Sequence, residues 1–109
     1  MAQQHARSGE RVSVLPLREH LGDARTSAII KADQLEIVRI VLMAGKEMRE
    51  HSAPGEITVL CLEGEIVFRT PSSEQTLRTG DFVHLGRGEP HALKATLDSS
   101  ALLTICLAA

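Results

Sequence analysis

The sequence has no tryptophan and no tyrosine, and Phe68 and Phe82 are its only phenylalanines. Sites that stack sugars, bases or quaternary amines draw on such rings, so those modes of recognition have little to work with here. Acid–base chemistry by tyrosine is excluded outright. Cysteine is nearly as scarce. Cys61 and Cys106 each lie inside an apolar stretch, which reads as a pair of buried free thiols in a cytoplasmic protein rather than a disulfide. No apolar run approaches the length of a membrane span. The first residues, Met1 to Glu10, are polar and lack the apolar centre of a secretory leader. The formal net charge is -2 and no basic cluster appears, so neither a membrane nor a nucleic acid is expected as a partner. No glycine-rich phosphate loop opens a helix, and no nucleophile elbow is present.

What is there is an ordinary globular composition. The chain of 109 residues is 43% hydrophobic and 24% charged, enough for one domain with a core of its own. The expected organisation is a flexible segment over residues 1–10 and a single domain over 11–109. Short apolar runs alternate with turn residues: Val12 to Leu15, Ser27 to Ile30, Leu35 to Met43, Ile57 to Leu62, Glu65 to Phe68, Phe82 to Leu85, His91 to Leu97 and Leu102 to Leu107. Between them stand Pro54-Gly55, Glu63-Gly64, Pro71-Ser72-Ser73, Thr79-Gly80-Asp81 and Gly86 to Pro90, which mark turns. Ile66 and Phe68 share one face, as do His91, Leu93, Ala95 and Leu97, and a period of two argues for strands. Helical spacing occurs only between Leu17 and Thr26. The fold class expected is all-β, a sandwich or barrel. Ile57 to Leu62 is apolar on both faces, which points to cover from a second sheet or a second subunit, and so to a homodimer.

Two segments carry a resemblance. In "GKEMREHSAPGEITVLCLEG", residues 45–64, Gly45, His51 and Gly64 fall on the first motif of the cupin superfamily. In "GDFVHLGRGEPHALKA", residues 80–95, Gly80, Gly88 and His91 fall on the second, with Gly86 where proline is usual. The chain is thus similar to small RmlC-like cupins from about Leu35 to Leu107. The resemblance implies a double-stranded β-helix, the jelly-roll barrel. It also implies a site holding three histidines and one glutamate on a metal. Here Ala53 stands at the second histidine position and Ile57 at the glutamate position, so His51 and His91 are the ligands carried over.

Neither alanine nor isoleucine binds a metal, and two histidines leave most of a coordination sphere to water. A third ligand would have to come from Glu56, Glu50 or Glu47. Strand alternation turns Glu56 away from Ile57, and it reaches the site only through a bulge or loop. Cys61 shares the parity of Ile57, so it faces the interior, as a core thiol more readily than as a ligand. The expected ligand pocket comprises His51, His91, Ile57, Ala53, Cys61 and Phe68. Its expected occupant is a small molecule. A divalent ion (Zn, Fe, Mn or Ni) is weakly held or absent. The alternative is a metal-dependent cupin enzyme, of dioxygenase or isomerase type, using His51, His91 and a nearby carboxylate. His5, His20 and His84 read as structural or surface residues, with His84 turned away from the face of Val83 and Leu85. Arg39, in the apolar run Glu36 to Ile40, either lines a pocket and contacts an anion or is an outward surface charge.

Overall fold

The structure is a computed structural model describing residues 5–107. Strands β1 (Ser27–Lys31), β2 (Leu35–Leu42), β3 (Glu47–His51), β4 (Ile57–Glu63), β5 (Glu65–Thr70), β6 (Ser73–Arg78), β7 (Phe82–Leu85), β8 (His91–Ala95) and β9 (Ser99–Cys106) form two sheets. One has the order β1-β2-β9-β4-β7 and the other β3-β8-β5-β6. Every pairing is antiparallel. Consecutive strands cross repeatedly between the sheets, which is the all-β architecture expected from the turn-punctuated apolar runs and the jelly roll that the cupin resemblance implies. Among the described residues, no helix is long and apolar enough to cross a membrane.

The core lies between the sheets, as alternation requires. Val59 and Ile66 are 0% exposed and Phe68 1%. Ile57, Cys61, Leu93, Ala95, Ala101 and Leu103 fill the same cluster. The tight reversal from β4 to β5 depends on Gly64, whose φ is 88°. A Cβ there would also run into the Ser99 side chain and the Asp98 carbonyl, so only glycine fits this crossing.

Several local expectations are corrected. Val12 to Leu15 forms no strand; it crosses the outside of the five-stranded sheet, with Leu15 74% exposed. The Leu17 to Thr26 region contains only a short 3-10 helix, Arg18–Asp23, buried at Leu21. β8 stops at Ala95, so Leu97 leaves the buried face and is 55% exposed. β3 and β6 have no apolar run to announce them. Each places one side chain against the core, Met48 and Leu77, among polar neighbours. Cys106 is exposed rather than buried, because it ends β9 on the outward side of the sheet opposite Leu35. Residues 1–4 of the segment expected to be flexible lie outside the described residues. Of the rest, Ala6 donates its N–H to the Ile29 carbonyl at 2.9 Å.

Candidate functional site

His51 ends β3 and His91 begins β8, and the two stand directly opposite each other in the ladder. The register shifts between Met48 and His51. This bulge matters, because regular alternation would turn His51 away from the side of Met48. With it, Met48 packs on the core and His51 still meets His91. The ring centroids are 4.4 Å apart, with the planes at 57°. Phe68 stacks beside His91, with centroids 6.0 Å apart and planes at 15°. His91 is 2% exposed, whereas His51 is exposed at the barrel mouth.

Each imidazole is oriented by its own strand's backbone. Nδ1 of His51 lies 2.8 Å from the Arg49 carbonyl, and Nδ1 of His91 lies 3.1 Å from the Glu89 carbonyl. A carbonyl only accepts, so in each neutral ring Nδ1 carries the proton and donates it. The Nε2 atoms are left as acceptors, and among the described residues no protein group bonds to either. Burial pushes the His91 pKa down, and the nearby His51 adds to the effect, against the bond to the Glu89 carbonyl. His91 is therefore neutral at neutral pH. With both rings neutral, the site presents two Nε2 lone pairs beside an aromatic wall.

The other sequence candidates divide. Ile57 is 3% exposed, and Ala53 is partly buried against the same cluster that contains Phe68. Ile57 also begins β4, at the barrel end where β5 finishes beside the start of β8. Cys61 is corrected out of this neighbourhood. It lies at the far end of β4, near the Gly64 reversal, with its thiol 3.6 Å from the Glu63 carbonyl. Burial pushes that thiol's pKa up, the bond to Glu63 opposes the rise, and the charges of Asp81 and Glu63 add to it. It is a core thiol, inert as a nucleophile.

The three carboxylates do not complete a metal set. Glu56 pairs with Nε2 of His84 at 2.7 Å, both side chains being well exposed. Glu47 lies opposite Lys94 on the outer side of the four-stranded sheet. Glu50 is exposed within the bulge. Among the described residues, no three of His, Cys, Asp and Glu stand close enough to hold an ion. The donors present therefore do not fit the four-ligand centre implied by the family's motif.

Arg39 lines a concavity, as the first reading given to it has it, but its guanidinium is taken up by backbone. It is 8% exposed, yet its guanidinium donates to the carbonyls of Leu15 and Ser13, each at 3.0 Å. A concavity of about 980 Å³ borders it, with Arg25, Asp23 and Ser13 among its walls. None of its lining residues belongs to the histidine pair, and Arg39 is already engaged by backbone, so the concavity is separate from the histidine site. The Nδ1 anchors, the bulge and the role of Arg39 all escaped sequence reasoning. The only forewarning was an arginine in an apolar strand.

The cupin domain family profile matches residues 38–107, and the chain belongs to this family. A conserved Streptococcus pyogenes protein of unknown function is similar over 100% of this chain and 99% of its own, with 24% identity and a TM-score of 0.78. An RmlC-like cupin from Desulfovibrio desulfuricans is similar over 89% of this chain and 96% of its own, with 24% identity and a TM-score of 0.75. A cupin superfamily protein from Desulfitobacterium hafniense is similar over 91% of this chain and 100% of its own, with 19% identity and a TM-score of 0.75. At such identities these likenesses show the fold alone. A search of curated proteins gives no match.

Proposed function

We propose that this cupin is a small-molecule-binding protein whose site is the His51–His91 pair at the barrel mouth, working without a full metal centre. The supporting observation is the pair of Nε2 lone pairs, fixed by the Nδ1 bonds to the Arg49 and Glu89 carbonyls and free of protein partners among the described residues. Polar groups held on rigid strands beside an apolar wall are what a small-ligand site needs to orient its occupant. Two acceptors favour ligands that bring hydrogen-bond donors, such as hydroxyls or a protonated acid, over a bare carboxylate. Thermal-shift screening of a metabolite library tests the reading. A specific ligand raises the melting temperature, and His51→Ala, which changes an exposed side chain, abolishes that rise. A rise that persists in His51→Ala places binding elsewhere. Stoichiometric divalent metal on untagged protein replaces this reading with the metal-dependent enzyme, of dioxygenase or isomerase type.

A further inference from the structure

The N-terminal segment is pinned to the five-stranded sheet at two places. Ala6 donates its N–H to the Ile29 carbonyl at 2.9 Å, and the Arg39 guanidinium holds the carbonyls of Ser13 and Leu15. Between the pins the chain folds on itself. Glu10 donates its N–H to the Arg7 carbonyl at 2.9 Å, its carboxylate accepts the Arg7 N–H at 2.6 Å, and Gly9 takes a φ of 85°. Every residue from Arg7 to Ser13 is exposed, so this stretch bows outward and leaves the space beside it unfilled. That space is the concavity of about 980 Å³, bounded by His5 and Ser13 near the pins, by residues 23–28 and by Arg39. Sites for small ligands occupy roughly 300–1,000 Å³, so its size suits one.

Asp23 and Arg25 both line this space, and among the described residues neither has an ion pair or a side-chain hydrogen bond. They are opposite in sign yet do not bridge each other. Ala24 between them is extended, with φ -93° and ψ 159°, so both side chains leave the chain on one side, roughly 7 Å apart at Cα. The third charge at the concavity, Arg39, is spent on backbone and answered by Glu63. We propose that the concavity is a second ligand site and that its ligand class is the free α-amino acid. Charge selects the occupant. A simple anion meets Arg25 but is repelled by Asp23, and a simple cation meets Asp23 but is repelled by Arg25. A zwitterion satisfies both, its carboxylate on the forked guanidinium and its ammonium on the carboxylate. An α-amino acid carries those two charges close together, and so fits between two side chains that do not reach each other. The rest of the volume takes its side chain. Both anchors are solvated, so the expected affinity is about millimolar. The site is independent of His51 and His91, neither of which borders it.

The test is an amide-resolved NMR titration of the whole chain with each of the common L-amino acids in turn, at about 10 mM, above a millimolar Kd. At least one should shift the amides of residues 23–28 saturably. The same compound without its amine, or without its carboxylate, should bind about tenfold more weakly, because one charged contact is lost. Asp23→Asn and Arg25→Gln, both at exposed positions, should each weaken binding about tenfold for the same reason, with circular dichroism confirming that they are folded. His51→Ala should leave the affinity unchanged. No saturable shift at these amides with any amino acid, equal binding of the bare acid or the bare amine, or an affinity indifferent to either substitution overturns the proposal. Binding that disappears in His51→Ala overturns it as well, and assigns the ligand to the histidine pair.

Discussion

Arg39 and Glu63 grip one stretch of backbone with opposite polarity. The guanidinium donates to the carbonyls of Ser13 and Leu15, and the carboxylate accepts from the N–H groups of Leu17 and Arg18, each at 2.9 Å. Ser100, from β9, donates its hydroxyl to the same carboxylate. A buried charge is tolerated only when its hydrogen bonds are met, and here the crossing segment meets them. The tether also holds Leu15, 74% exposed, across the outside of the five-stranded sheet.

Removing that carboxylate's charge is expected to loosen the segment. Burial raises the Glu63 pKa, but the bonds from Ser100, Leu17 and Arg18 and the charge of Arg39 outweigh it, and the net direction is down. A lowered folded-state value means stabilisation that is present above the unfolded value, about 4.3, and lost as pH falls through the folded one. Glu63→Gln should cost ~1–3 kcal/mol in urea unfolding at pH 7, and the gap to wild type should narrow below about pH 4. A gap independent of pH would contradict the charged tether.

Arg18 carries a φ of 54°, in the left-handed region that costs a side-chain-bearing residue ~1–2 kcal/mol and that asparagine tolerates better. Arg18→Asn should raise the urea midpoint, by about 0.5–1 kcal/mol in stability. A fall would mean that the arginine side chain makes a contact outweighing the backbone strain.

Gly64 and Gly80 both have positive φ, 88° and 90°, but a Cβ at Gly80 meets open space whereas one at Gly64 meets Ser99 and Asp98. Gly80→Ala should cost ~1–2 kcal/mol from backbone strain alone. Gly64→Ala should cost ~1–3 kcal/mol more, because the β4–β5 reversal must move aside. Equal costs in chemical denaturation would remove the close approach from the account.

Cys61 is 1% exposed with its pKa raised chiefly by burial. In a Cys106→Ser background, an aromatic disulfide reagent should find no reactive thiol until the protein is unfolded. Rapid labelling of the native variant would show that this end of the barrel opens.

The paired histidines should separate in their cost to stability. His51→Ala changes an exposed ring and is expected to stay within about 0.5 kcal/mol, while His91→Ala empties a buried position beside Phe68 and is expected to cost ~2 kcal/mol. Because the folded state holds His91 below its ordinary value, the unfolded chain takes up the proton first. Stability from this residue is therefore complete above about pH 6.5 and declines as the pH falls below it. Melting curves of wild type and His91→Phe between pH 7.5 and 5 check this, as approximate bounds around that value. Parallel pH profiles would count against it.

The strands with real alternation were legible in the sequence. Glu65 to Phe68 and the first part of His91 to Leu97 read correctly because inward apolar positions repeat every second residue, and Ile57 to Leu62 because it is apolar on both faces. β3 and β6 were not legible, since each contributes a single buried side chain. At the site, the motif spacing singled out His51 and His91, and the structure sets them opposite each other in the β3–β8 ladder. The misplacement of Cys61 has a simple cause. Parity reports which face a residue takes, but not how far along the barrel it lies from another residue of the same face.

The pattern of turns and apolar runs was sufficient by itself for the all-β class, and the two motifs for the cupin resemblance, because both are local periodicities written along the chain. The bulge that brings His51 to His91, the tautomers set by the Arg49 and Glu89 carbonyls, the outward turn of Glu56 to His84 and the engagement of Arg39 with distant backbone were decided only in three dimensions. Each depends on contacts or a ladder register between segments that no spacing along one strand encodes.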